Sequence, residues 1–123
     1  MGPAVYPAGH VDVVQDPSKV KTKRMTQGIA ETYRRKIKTV DELQEIIGPR
    51  PRAASVIMCH GTFDIVHPGH LRHLLYASEK ADVLVASLTC DAHVTKADMR
   101  PFVPEELRAM NLAAFEMVDY VII

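Results

Sequence analysis

The run Val56-Ile57-Met58-Cys59-His60-Gly61-Thr62-Phe63-Asp64-Ile65-Val66-His67-Pro68-Gly69-His70 decides how this chain is read. Its first part, Val56 to Cys59, is short and apolar without alternation, the pattern of a strand buried on both faces of a parallel sheet. Its middle, from Gly61 to Pro68, is a turn-rich loop. Its last part opens a helix from Gly69 to about Lys80, with Leu71, Leu74 and Leu75 expected on the inward face. Strand, loop and helix in that order place the loop at the carboxyl end of a strand, where open α/β sheets hold their ligands.

The loop carries the residues with chemistry. Gly61 is expected to let the backbone turn sharply and approach a ligand. Gly69 puts a side-chain-free amide at the helix start, where N–H groups and the positive dipole end attract phosphate. His67 and His70 bracket that point, and Pro68 restricts how the pair can spread. Two imidazoles there could each donate a hydrogen bond to phosphate oxygens, and removing one such donor costs on the order of 3 kcal/mol of barrier. Phosphoryl-type transfer rests on positioning and charge stabilisation, so it requires no nucleophilic side chain. Phe63 reads as core or as nucleobase platform. Asp64 reads as a loop cap or as a carboxylate that helps hold Mg²⁺.

Outward from the loop, the pattern repeats. Upstream, Thr39 and Glu42 form a capping box before a helix carrying Val40, Leu43, Ile46 and Ile47, which Gly48 and Pro49 end. Downstream, Asp82 to Leu88 reads as a second buried strand through Val83-Leu84-Val85-Ala86, and a polar loop follows from Thr89 to Pro101. Pro104 reads as the first residue of a helix with Glu105 and Glu106 in its first turn. Leu107, Met110, Ala114, Met117 and Val118 are its expected inward stripe. Tyr120-Val121-Ile122-Ile123 is a third apolar strand. The expectation is an α/β fold, a Rossmann-like parallel sheet with flanking helices. Residues 36–123 would form the domain. Residues 1–35, with Pro3, Pro7, Gly9, Pro17 and a basic run from Lys19 to Arg24, would form an extended or mobile arm with a short helix near Ile29 to Arg35.

Composition bounds the function. The chain has 123 residues, 47% of them hydrophobic and 24% charged, with zero net charge, so no overall field recruits nucleic acid or an anionic membrane. A bound polyanion must be held by a local site. No run of about 18 apolar residues suggests a membrane span. Cys59 and Cys90 read as reduced, packed thiols, and with no apolar leader the expected location is the cytoplasm.

The segment Gly61-Thr62-Phe63-Asp64-Ile65-Val66-His67-Pro68-Gly69-His70 resembles the cytidylyltransferase-like nucleotidyltransferases, whose hallmark is His-x-Gly-His in a Rossmann-like fold. It resembles the glycerol-3-phosphate cytidylyltransferase version closely. Met99-Arg100-Pro101, the helix from Pro104 and Val118-Asp119-Tyr120-Val121 resemble the adenylyltransferase domains that make ADP-heptose, as does the preceding Lys36 to Leu43. The resemblance implies attack of a phosphorylated sugar or polyol on the α-phosphate of CTP or ATP, with pyrophosphate release and Mg²⁺. It implies that His67 and His70 stabilise the pentacoordinate phosphate, and that Gly61, Thr62, Phe63 and Gly69 line the nucleotide loop. Asp64 would face the acceptor or the metal, and Asp91 the acceptor. Lys96 or Arg100 would supply a cation. Arg108 matches a basic position of the next helix, with a surface residue as its alternative. Members of the family continue past the third strand with two more elements and a Ser/Thr-rich motif, so the expectation is a chain truncated before the fold is complete. A homodimer is a further implication.

Three rivals follow from the same residues. Zinc held by His67, His70 and His73, with Cys59 and His60 upstream, would need four converging ligands, yet helical spacing turns His73 about 60° from His70. A nucleotide-binding or oligomerising module would keep the loop without turnover. An adenylyltransferase acting on pantetheine phosphate would carry a different loop ahead of the first histidine.

Overall fold

The computed structural model describes residues 30–94 and 101–123. The helix expected near Ile29 to Arg35 is α1, Ala30–Arg34. The remaining expectations for residues 1–29 lie outside the described residues, as do Lys96 and Arg100. Six further helices and strands follow: α2 (Val40–Ile47), β1 (Val56–Gly61), α3 (Pro68–Ser78), β2 (Val83–Leu88), α4 (Glu105–Ala113) and β3 (Tyr120–Ile122). A 3-10 turn, Asp91–His93, sits between β2 and α4.

The strands form one parallel sheet in the order β1-β2-β3. This is the Rossmann-like α/β arrangement that the sequence suggests. β2 lies in the middle and is the most deeply buried strand, with Leu84, Val85, Ala86 and Leu88 almost inaccessible to water. Each of the Leu and Val side chains contributes about 1.5–3 kcal/mol of apolar burial. α3 and α4 cover one face. Leu74 and Ala77 of α3 and Leu112 and Ala113 of α4 pack in a single core with Cys59, Leu84, Ala86, Leu88 and Val121. Two successive βαβ units with both helices on one face are what right-handed crossovers produce.

The other face belongs to α2. Leu43 packs on Val85 and Ile122, with Ile47, Val56, Val83 and Tyr120 around them. The Thr39 cap is present: Thr39 Oγ1 accepts from the Glu42 amide at 3.1 Å, and the Glu42 carboxylate accepts from the Thr39 amide at 3.4 Å. Gly48 ends α2 with φ +71°, a conformation only glycine adopts without cost.

Three expectations change. β1 is an edge strand among the described residues, and Met58 is 52% exposed, so β1 is not apolar-packed on both faces. The inward face of α3 is Leu74 and Ala77, while Leu75, turned about 100° round the helix from Leu74, is 42% exposed. α4 ends at Ala113, and it turns Arg108, Ala109, Leu112 and Ala113 inward while Leu107 is exposed. An arginine inside that stripe displaces the apolar reading by one position. The outer edge of β3 is also not bare. Val121 donates to the Lys36 carbonyl at 2.9 Å, and Lys38 donates to the Val121 carbonyl at 2.8 Å.

Candidate active site

The loop after β1 and the start of α3 border a cavity of about 680 Å³ lined by residues 60–65, His67, His70, His73 and Val94. Its floor is held by a strained residue. Phe63 sits at φ +51°, in the left-handed region that non-glycine residues rarely occupy. Such strain costs about 1–3 kcal/mol, and burial of the ring at 6% exposure offsets it. Gly61 serves that ring. Its own φ lies outside the left-handed region, and a Cβ there would come within 3.2 Å of Phe63 Cε2. The expected sharp turn at Gly61 is therefore replaced by a need for space.

The two histidines cap α3 reciprocally. His67 is the N-cap, and its Nδ1 accepts from the Gly69 amide at 3.0 Å. His70 Nδ1 accepts from the His67 amide at 3.3 Å. An amide N–H donates only to an unprotonated ring nitrogen, so each neutral imidazole carries its proton on Nε2. The cap thus sets both rings as Nε2–H donors. Their centroids lie 4.0 Å apart, and Phe63 stacks obliquely on His70 at 5.5 Å. Gly69 is required by the same arrangement, since a Cβ would lie 2.7 Å from His67 Cε1. Its amide, expected to meet phosphate, is engaged by His67.

Arg108 is not a surface residue. It is fully buried, and its guanidinium donates to the carbonyls of Val103 at 2.8 Å, Thr62 at 2.7 Å and Thr89 at 2.7 Å, and pairs with Asp91 Oδ1. One side chain therefore ties the nucleotide loop, the end of β2 and the start of α4 together. Asp91 completes the brace by accepting from the Glu105 amide at 3.2 Å, which caps α4 from outside the helix. Asp64, also buried, accepts from the amides of Phe102 at 3.0 Å and Val103 at 2.9 Å. Both carboxylates thus hold backbone.

Each carboxylate oxygen of Asp64 and Asp91 spends one lone pair on these bonds and keeps another that could face a cation carried by a substrate. No set of three His, Cys, Asp or Glu side chains could hold a metal ion among the described residues, which also removes the zinc reading. Cys59 and Cys90 are both free thiols. Burial pushes the Cys59 thiol up. Cys90 Sγ lies 2.9 Å from His93 Nδ1, a contact that spacing alone did not suggest. His60, passed over except as a zinc ligand, also lines the cavity. Its place directly before Gly61 at a strand end was the available signal.

The cytidylyltransferase-like family profile matches residues 58–123, more than half of the chain. The chain belongs to that family. Among its relatives, the bifunctional protein HldE of Campylobacter concisus is 35% identical over 101 residues, covering 80% of this chain and 21% of that protein. HldE of Geobacter metallireducens is 41% identical over 91 residues, covering 72% and 19%. The cytidylyltransferase-like chain therefore spans about a fifth of the length of the curated relatives it matches. A crystal structure of the lipopolysaccharide core biosynthesis protein from Thermoplasma volcanium superposes with a TM-score of 0.53 at 27% identity, covering 57% of each chain. No helix of the described residues is long and apolar enough to cross a membrane.

Proposed function

We propose that this chain carries the nucleotidyl-transfer site of an enzyme that moves CMP or AMP from CTP or ATP to a phosphorylated sugar or polyol, in the making of nucleotide-activated sugars for cell-envelope polymers. The observation that carries the reading is the reciprocal His67–His70 cap, which leaves both Nε2 atoms as donors beside one cavity. A phosphate oxygen of the acceptor attacks the α-phosphorus. The bond from that phosphorus to the bridging oxygen breaks, and pyrophosphate leaves. Negative charge grows on the equatorial and leaving oxygens, where Nε2–H donors of fixed direction are most effective.

Thr62 and Phe63 present the loop backbone to the nucleotide, and Gly61 and Gly69 provide room for the Phe63 and His67 rings. Arg108, Asp91 and Asp64 serve as the brace that holds this loop against β2 and α4. Lys96 is proposed as a further cation. Mg²⁺ would enter with the nucleotide phosphates and would offset their charge. The Thermoplasma protein being named for lipopolysaccharide core biosynthesis supports a sugar phosphate acceptor.

The test is pyrophosphate release from CTP or ATP with phosphorylated sugars and polyols, beside His70→Ala. Release that depends on His70 supports the proposal, and the best pair names donor and acceptor. A folded chain that binds nucleotide but releases no pyrophosphate would instead be a binding module.

A further inference from the structure

The cavity's donors are unusual in kind. Among its described lining residues none is lysine or arginine, its carboxylate Asp64 is held by two backbone amides, and four side chains are imidazoles. His67 and His70 belong to the α3 cap. His60 does not. It stands near the carboxyl end of β1, with the parity of Val56 and Met58, and so lies on the sheet face opposite α3. It therefore reaches the cavity from the other side.

Two hydroxyls orient it. His60 Nδ1 is 3.0 Å from Ser87 Oγ, its register partner on β2, and Nε2 is 3.5 Å from Thr89 Oγ1. A hydroxyl can donate or accept, so this pair holds the ring in the same direction whether it is neutral or charged. The Nε2 contact is at the limit of a hydrogen bond and yields readily to a stronger acceptor. Thr89 also gives its carbonyl to Arg108, so the backbone that carries the hydroxyl facing His60 is held by the same brace that holds Thr62.

We propose that His60 is a third phosphate-binding imidazole, which donates from Nε2 to a substrate phosphate group that His67 and His70 approach from the α3 side. The proposal rests on the nucleotidyl-transfer reading of this cavity and adds a residue to it. The phosphate belongs either to the nucleotide's outer phosphates or to the phosphorylated acceptor. His60 is exposed and outside the helix cap, so its replacement leaves the fold intact.

The test follows the histidine Cε1–H resonances of the full chain while inorganic pyrophosphate is added. The expected result is a shift of the His60 signal together with those of His67 and His70. His60→Ala should weaken pyrophosphate binding about tenfold, and His60→Gln, whose amide can donate from a similar reach, should recover part of it. Signals of His67 and His70 that respond while His60 stays still would overturn the proposal, as would unchanged affinity in His60→Ala. If none of the three responds, the phosphate reading of the cavity fails and this proposal falls with it. In turnover, a rise in KM for the nucleotide alone assigns His60 to its phosphates, and a rise for the acceptor alone assigns it to the acceptor. Unchanged KM for both counts against a binding role.

Discussion

His67 joins two jobs in one ring: Nδ1 caps α3, and Nε2 is the atom left to donate. Substitution can separate them. His67→Asn keeps an N-cap side chain, so urea unfolding should stay within a few tenths of a kcal/mol of wild type, while pyrophosphate release drops by about 10²–10³. His67→Ala should lose both the rate and about 1 kcal/mol of stability. An active Asn variant would show that the imidazole is dispensable. Gly69→Ala should resemble His67→Asn in rate, because the new methyl displaces the ring whose Cε1 it would meet at 2.7 Å. The thiols give a second check. Burial raises Cys59, so a thiol reagent should modify Cys90 first and Cys59 only on unfolding. At this scale the histidine pair was legible, because its spacing around Pro-Gly is itself the signal. The need for Gly69 was not, since it depends on where the His67 ring turns.

Arg108 shows what an element-scale reading misses. Periodicity treats a charged residue as outward and so puts the stripe of α4 on Leu107 and Met110, whereas Arg108, Ala109, Leu112 and Ala113 face inward. Nothing local announces that four acceptors from three segments converge on one guanidinium. Arg108→Met should cost about 3–5 kcal/mol, because it leaves Asp91 and three carbonyls without their donor. Asp91→Asn, which keeps an acceptor for Glu105, should cost less in the same urea titration. At the turn into β2, Asp82 accepts from the Ser55 amide at 2.8 Å and from its hydroxyl at 3.1 Å. The backbone bond from Ser55, then its hydroxyl, holds the Asp82 carboxyl below its ordinary 3.8. A lowered carboxyl stabilises the fold above the unfolded value, and that contribution disappears as pH falls through the folded one. Thermal melts of wild type should therefore lose ground to those of Asp82→Asn below about pH 4. Parallel loss in both proteins would show that Asp82 has no part in acid sensitivity.

Across the whole molecule, the order of strands and helices was legible because each strand is a short apolar run and each helix has a start signal. What could not be read was which strand lies in the middle: β1 and β2 look alike in sequence, and only pairing makes β2 the centre. The role of α2 as sole cover of the second face among the described residues was equally silent. Leu43→Ala should cost about 2–5 kcal/mol, a large loss for one residue ahead of the sheet, and should raise dye binding by exposing Val85 and Ile122. A mutant as stable as wild type would mean that α2 is not integral to the core. The bonds that Val121 makes with Lys36 and Lys38 act on the outer border of the sheet. They lay the backbone at 36–38 parallel to β3, as a hem is stitched over a raw edge. A foreign strand that came to pair at Val121 would first have to unpick that hem, so the border is a poor template for unwanted pairing.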